Sequence, residues 1–212
     1  MMKKFYLLIY MVLAALFLQG QTIMLDSVDF SQGKTVMGAL QVRASATGFD
    51  TTMITSQELS ALLWAANGIN RPESGKRTAA SAVNAQDIDL YVCLKQGIYR
   101  YNHKNHSLEP VVSGDHRGLI ASRQAWTADA PVFVIMVSDI SRFNHGNDST
   151  KLIRAAMDAG IVSQNISLYC AAVGLETRIR AVMETQNLHT LMGLKPSQHL
   201  MLNNPVGYRK KD

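Results

Sequence analysis

Only two cysteines and five prolines occur in this 212-residue chain, and the shortage of cysteine closes off whole classes of protein. Two cysteines make no disulfide framework. With no CxxC, and no histidine beside either one, they form no metal-binding knuckle, redox dithiol or thiol nucleophile. Charged residues are 17% of the chain against 47% hydrophobic, which suits a buried core and excludes a disordered polymer. The net charge of +5 is scattered apart from the closing "RKKD", and no basic stripe interleaves with aromatics. No nucleic-acid partner is expected. GxSxG, Walker and GxGxxG motifs are absent. His103 and His106 have HxxH spacing but fall in a hairpin turn with no third ligand nearby, so a polar turn is expected and no metal site. Asp158 and Glu176 make no evident acid/base pair. A mechanism built on a protein-borne nucleophile or base is therefore not expected.

What is present begins at the N-terminus. "MMKK" is a short positive segment, Phe5 to Leu18 is an uninterrupted apolar run, and "QGQ" restores small and polar residues. The run falls short of the roughly 20 residues of a membrane span, and no positively charged stop follows it. Residues 1–21 are expected to be a secretory signal cleaved near Gly20 or Gln21, with an uncleaved anchor as the alternative and no stable membrane span. No cysteine stands at the cleavage region, which argues against a lipoprotein. Residues 22–212 are left as a single exported domain, expected in a bacterial periplasm and long enough to bury a proper core. Export permits a disulfide, yet Cys93 sits in a strand-like pattern and Cys170 deep in a helical one. Two buried free thiols are expected.

Periodicity makes the remainder an α+β domain. Val36, Met37, Leu40 and Val42 give a short amphipathic helix over Gly33–Arg43. Thr55 and Glu58 stand in capping-box spacing ahead of a helix that closes on Gly68. Alternation over Ile88–Leu94 predicts a strand, followed by the short strands "GIYRYN" and "SLEPVV" around the turn "HKNHS". A helix near "GLIASRQAW" and the apolar strand "PVFVIMVS" come next. Asp148 or Ser149 is expected to cap a long helix to Val173. That helix is small or apolar nearly all round, which implies burial on every side, by a dimer partner or in the core of a monomer. "ETRIRAVM" reads as extended, Glu184 to Leu194 as a short helix and "HLMLNNPVGY" as a last strand.

Polar residues gather at the ends of these elements: Arg43 and Ser45, then Ser81, Asn84 and Gln86, then Arg209 and Lys210. An arginine with a serine two residues on, at a helix end, suits a phosphate. Asparagine and glutamine amides donate and accept, as a heterocycle with alternating N–H and C=O groups requires. The same trio would also serve as a polar mouth to the strand, bonded to its own backbone. The motifs "RASATGFD", "SAVNAQDIDLYV", "DAGIVSQNISLYCAAVGLET" and "NPVGY", in this order from about Gly33 to Tyr208, resemble those of the FMN-dependent nitroreductase family. The compact form is similar to the branch that oxidises peptide thiazolines and oxazolines.

The resemblance implies a central, mainly antiparallel sheet flanked by helices, a long central helix and an intertwined homodimer. It also implies FMN, with Arg43 and Ser45 on the phosphate, Asn84 and Gln86 at the flavin ring edge, Ser81 close by, and Arg209 and Lys210 as further phosphate ligands. The backbone N–H expected near the flavin N5 falls at Ala181, where the family has glycine. Thr47 stands where a basic residue is common, and Ala80 where a proline is. The stretch from Asp115 to Asp148 is short where relatives build a substrate lid. The function implied is an exported oxidoreductase moving two electrons by a ping-pong route to a small-molecule or peptide substrate. NAD(P)H is the family's usual donor, although it is scarce outside the cytoplasm. A flavin-binding protein without turnover, or a cofactor-free interaction domain, is the alternative.

Overall fold

The computed structural model describes residues 20–210, and the signal expected over 1–21 lies outside them save for its last two residues. The strands, in chain order, are β1 (Ile23–Met24), β2 (Ile69–Arg71), β3 (Lys76–Arg77), β4 (Ile88–Leu94), β5 (Gly97–Asn102), β6 (Ser107–Ser113), β7 (Val132–Asp139), β8 (Glu176–Thr177) and β9 (Gln198–Gly207). The helices are α1 (Val36–Val42), α2 (Ser56–Asn67), α3 (Arg117–Ala121), α4 (Asp148–Val173) and α5 (Thr185–Leu191). Seven strands make one sheet in the order β1-β6-β5-β4-β7-β9-β8, and every pair in it is antiparallel. β2 and β3 pair separately as a small hairpin.

The alternation along β4 serves two cores at once. Ile88, Leu90, Val92 and Leu94 point with Val132, Val134 and Met136 of β7 toward α2 and α4. Tyr91 and Cys93 join Phe133, Ile135 and Val137 against α3 and α5 on the opposite face. Full burial of a side chain of this size is worth roughly 1.5–3 kcal/mol, so the paired centre of the sheet is the natural rigid element of the fold. Cys93 and Cys170 are unpaired and lie in different cores, on opposite sides of the sheet. Burial pushes the Cys93 thiol up to about 12 and raises Cys170 as well, so neither is a thiolate.

Local signals explain the helix ends. Thr55 accepts from Glu58 N–H while Glu58 accepts from Thr55 N–H, the reciprocal box its spacing predicts. Gly68 ends α2 where a Cβ would lie 2.6 Å from Trp64 Cδ1. The cap of α4 is neither Asp148 nor Ser149. It is Asn147, in extended conformation, whose Oδ1 accepts from Thr150 N–H at 2.9 Å, with Asp148 in the first turn where its charge suits the helix dipole. α4 ends on Gly174 at φ 83°, a left-handed position that glycine takes without cost.

Several expectations are corrected. α4 is buried along one face (Ala155, Ala159, Val162, Ile166 and Cys170), while Ile153, Met157 and Ile161, four residues apart, are 56%, 62% and 39% exposed. Within one chain it is therefore not covered on every side. The stretch 176–183 is not one continuous strand: it pairs at β8 and then at one bridge, Arg180 to Asn203. The helix near "GLIASRQAW" divides into α3 and a 3-10 turn at Ala125–Asp129, broken at Ser122 with φ 50°. β1, β2 and β3 are too short to show a period. Among the described residues no helix is long and apolar enough to cross a membrane.

Asn147→Ala should cost about 1 kcal/mol of unfolding free energy, whereas Ser149→Ala should cost much less. Urea denaturation of both variants checks this, and equal losses would mean that Asn147 does not act as the cap.

Candidate functional site

The two ends of the domain meet at one cleft. The chain leaves α1 at Arg43, and Phe49 then bridges to Arg209 just beyond β9, with Asp50 N–H donating to Tyr208 C=O at 3.0 Å. Ala46 N–H donates to Thr177 C=O at 2.9 Å, and Arg178 Nη1 donates to Ala46 C=O at 3.2 Å, so β8 and the following segment hold the other side. The resulting cleft, about 670 Å³, is lined by Ser45, Thr47, Gly48, Glu176, Arg209 and Lys210. Arg209 pairs with Glu176 at 2.7 Å. The hydroxyls of Ser45 and Thr47, the Lys210 ammonium and the exposed Arg43 guanidinium have no partner among the described residues. Lys210 lies against Gly48, so a cation stands beside Thr47, where the motif lacks one in sequence. Arg178 also lies 5.9 Å over the ring of Trp126, which stacks on Phe49.

Ser81, Asn84 and Gln86 form a different feature. Val83, Asn84 and Gln86 have φ of 50°, 54° and 47°, a left-handed run that is costly for any side chain and most of all for the β-branched Val83. Residues held this way cost on the order of 1–3 kcal/mol each and persist only when their surroundings over-determine them. Here they do. Ala82 N–H donates to both carboxylate oxygens of Asp158 on α4, at 3.0 and 2.8 Å. Gln86 N–H donates to Ser81 Oγ at 2.7 Å, Gln86 Nε2 to Gly75 C=O at 3.2 Å, and Arg142 Nη1 to Gln86 C=O at 2.8 Å. The Ser81 hydroxyl and the Gln86 amide thus brace the loop, while Val83 and Asn84 project from it, with the Asn84 amide unspent among the described residues. No lining residue and no hydrogen bond joins this loop to the Ser45–Lys210 cleft.

Ala181 is held by its neighbour. Arg180 is 4% exposed and donates to Gln124 Oε1 at 2.6 Å, Ala121 C=O at 2.7 Å, Asn203 Oδ1 at 2.9 Å and Ile120 C=O at 3.2 Å, all neutral acceptors. Burial with no carboxylate beside it lowers its affinity for its proton. Ala181 is exposed with an ordinary φ, so alanine in place of the family's glycine strains nothing, and its N–H donates to nothing in the described residues.

The sequence matches the nitroreductase family over residues 40–208. The chain belongs to that family. A protein of Methanocaldococcus jannaschii, provisionally named a nitroreductase, is 25% identical over 197 residues, 89% of this chain and 98% of its own. The crystal structure of another provisionally named nitroreductase, from Ralstonia eutropha, is 31% identical, covers 91% of both chains and superposes with a TM-score of 0.82. The fold is shared more distantly by the Vibrio harveyi NADPH:FMN oxidoreductase solved with NAD+, at 16% identity and a TM-score of 0.62 over 83% of this chain and 69% of that one. The antiparallel sheet flanked by helices, with one long helix, is thus the nitroreductase architecture.

Residues given no site role in the sequence carry much of the support of these features. Asp158 holds the loop, Arg180 positions Ala181, and Glu176 serves Arg209. The two histidines have separate hydrogen-bond partners. Arg77 Nη2 approaches His103 Nε2 at 3.2 Å, and His106 lies between Tyr101 Oη at 2.8 Å and Ser60 Oγ at 2.7 Å. Ser60 gives its proton to Asp26 C=O, so His106 Nε2 carries the hydrogen and donates to Ser60.

Beneath the loop, Asp87 is fully buried beside Asp158 and accepts from Ser138 Oγ at 2.5 Å, while its Oδ1 has no donor. Burial, with the Asp158 carboxylate against it, pushes Asp87 up to about 7. An acid raised in the fold favours folding while it keeps its proton, so this contribution is present in acid and is lost as pH rises from about 4 to about 7. His103, held down to about 4 by burial and the Arg77 charge, acts oppositely and loses its contribution as pH falls from about 6.5 to about 4. Asp87→Asn removes only the first effect. Its stability relative to the parent should rise with pH between about 4 and 7 and then level off, as read from urea midpoints. A difference independent of pH would mean that Asp87 is ionised in the fold.

Proposed function

We propose that this chain is an FMN-dependent oxidoreductase, exported to the periplasm, that works as a homodimer and moves two electrons from a donor to an acceptor that use one site in turn. The observation that carries the reading is the Ser45–Lys210 cleft, with free hydroxyls and uncommitted cations on the segments whose motifs resemble the family's phosphate ligands. A phosphate monoester brings between one and two negative charges and three acceptor oxygens. Arg43, Ser45, Arg209 and Lys210 match that chemistry, and Arg209 already neutralises Glu176, the one carboxylate lining the cleft. The Vibrio harveyi oxidoreductase, which shares the fold, is named for FMN and NADPH and was solved with NAD+, which supports FMN here and an NAD(P)H donor or an extracytoplasmic substitute.

Bound FMN would supply the two-electron chemistry, and this chain would bind and orient it. Asn84 presents an amide with both ends free, on a loop that Ser81 and Gln86 keep from relaxing. Ala181 offers a backbone N–H on a segment locked by Arg180. Donors fixed in place before reaction favour whichever redox state carries negative charge, at no reorganisation cost. The reading as a dimer follows from the separation of the two halves. A second copy bringing its 81–86 loop to this cleft would complete the site. The exposed Ile153, Met157 and Ile161 on α4, with Val36, Met37 and Leu40 on α1, give the apolar surface that such a partner covers.

The visible spectrum of the purified protein should show bound flavin that bleaches on anaerobic reduction. Loss of one charge-assisted phosphate contact is worth roughly ten- to a hundred-fold in affinity. Arg43→Ala should therefore weaken FMN that much while sparing riboflavin, which lacks the phosphate. Asn84→Ala should weaken both alike and lower the flavin's reduction potential. Equal losses for FMN and riboflavin in Arg43→Ala would sink the phosphate assignment.

Met157→Arg combined with Ile161→Arg places two charges on an exposed face and spares the core, so the chain should stay folded by circular dichroism. Light scattering should show a monomer, and flavin should be lost with the dimer. A parent protein that is monomeric and still holds flavin would refute the shared site.

A further inference from the structure

A second basic cleft, about 390 Å³, opens at the end of the β4–β5 pair away from its turn, lined by Arg77, Asp89, Arg100, His103, Lys104 and Arg142 among others. It shares no lining residue with the Ser45–Lys210 cleft. Two of its cations are spoken for. Arg100 pairs with Glu109 at 2.7 Å, and Arg142 pairs with Asp89 and lies 4.0 Å from Asp139. Arg77 and Lys104 have no carboxylate partner among the described residues.

Arg77 is the unusual one. It is 6% exposed, its Nη1 donates to Ile88 C=O at 3.0 Å, its Nη2 meets His103 Nε2 at 3.2 Å, and its Nε is buried with no acceptor. A guanidinium only donates, so His103 Nε2 accepts and the ring's hydrogen sits on Nδ1, which donates to nothing in the described residues. Both direct acceptors of Arg77 are neutral, and the nearby Asp89 carboxylate, which favours its charge, is already paired with Arg142, so burial still lowers its affinity for its proton. A buried cation so incompletely paired is expensive, and a bound anion is the usual remedy.

We propose that this cleft binds a phosphate-class oxoanion, either free or as the phosphate of a larger molecule, through the Arg77 charge, the Lys104 ammonium and the His103 N–H. The site has a built-in link to the Asn84 loop. Arg142, which shares the cleft, also donates to Gln86 C=O at 2.8 Å, at the end of the strained run. Occupancy of the cleft would redistribute that guanidinium's bonds and so reach the loop.

Backbone amide NMR of the full chain, titrated with sulfate at constant ionic strength, tests this directly. Sulfate stays doubly charged across the range in which His103 titrates. Saturable shifts should centre on residues 102–104 and extend to Gln86, and the His103 ring should titrate at a higher pH when sulfate is bound. Lys104→Glu, an exposed substitution, should weaken binding roughly tenfold or more, while Lys210→Ala in the other cleft should leave these shifts unchanged. A parallel titration separates the sources. ADP binding at least tenfold tighter than inorganic phosphate at the same amides identifies the phosphate of a larger molecule, and equal affinity identifies the free ion. Absence of saturable shifts at 102–104, or equal weakening by Lys104→Glu and Lys210→Ala, would overturn the proposal. None of these readouts requires flavin, so the outcome is independent of the FMN reading.

Discussion

One backbone N–H held by both oxygens of a buried carboxylate, Ala82 to Asp158, keeps the 81–86 loop in its strained form. Without Asp158 the loop would have every reason to relax, since three of its residues occupy left-handed conformations with side chains attached. The carboxylate is fixed because α4 lies across the sheet with Ala159 and Val162 packed into the core beside it. Helix position, loop strain and the outward pose of Asn84 are therefore one problem with one solution. The Asp158 carboxylate is satisfied in part by this N–H, and Asp87 beside it is pushed up to about 7 by burial and by Asp158, so it keeps its proton further up the pH scale than a free carboxyl does.

The cleft at the other end follows the same logic with a different anchor. Gly48 and Lys210 are far apart in sequence, and they meet because β9 runs beside β7 and its continuation then bridges to Phe49. Arg180 anchors the segment that follows β8. It is a buried cation satisfied wholly by carbonyls and amides, and its loss would strand several acceptors at once, each worth about 1–3 kcal/mol when left unpaired. The segment bearing Ala181 is thus rigid although it is exposed and makes little ladder. Rigid supports beneath exposed polar groups are what a cofactor site requires.

Most of the fold was legible in the sequence because its signals are periodic or local. The alternation of Ile88–Leu94, the Thr55–Glu58 box and the apolar run at Val132–Asp139 each name an element without help from the rest. β1–β3 were not legible, since two or three residues have no period. The Asn147 cap was hidden by Asp148 and Ser149, which are equally good cap residues in sequence. At the site, Arg43, Ser45, Arg209 and Lys210 were visible as polar residues at element ends, but only the fold shows that Ser45, Arg209 and Lys210 line one cleft next to the segment that bears Arg43. The roles of Asp158, Arg180 and Arg142 were invisible, because a buried charge is recognised by its partners and those partners are backbone groups remote in sequence. The exposed side of α4 sets aside only the reading of a core helix buried all round within one chain, since small residues that look like core packing are also what a helix needs for a close approach to another chain.

The central claim is that the phosphate half and the ring-edge half of each flavin site come from different chains. Mixing Arg43→Ala chains with Asn84→Ala chains under conditions that allow subunit exchange, and titrating FMN by fluorescence quenching, tests it most directly. If the site is shared, a mixed dimer places both defects in one site and leaves the other intact. Random reassociation should then restore parental affinity to roughly a quarter of all sites. If each site lay within a single chain, every site in the mixture would keep one defect, and no tight fraction would appear.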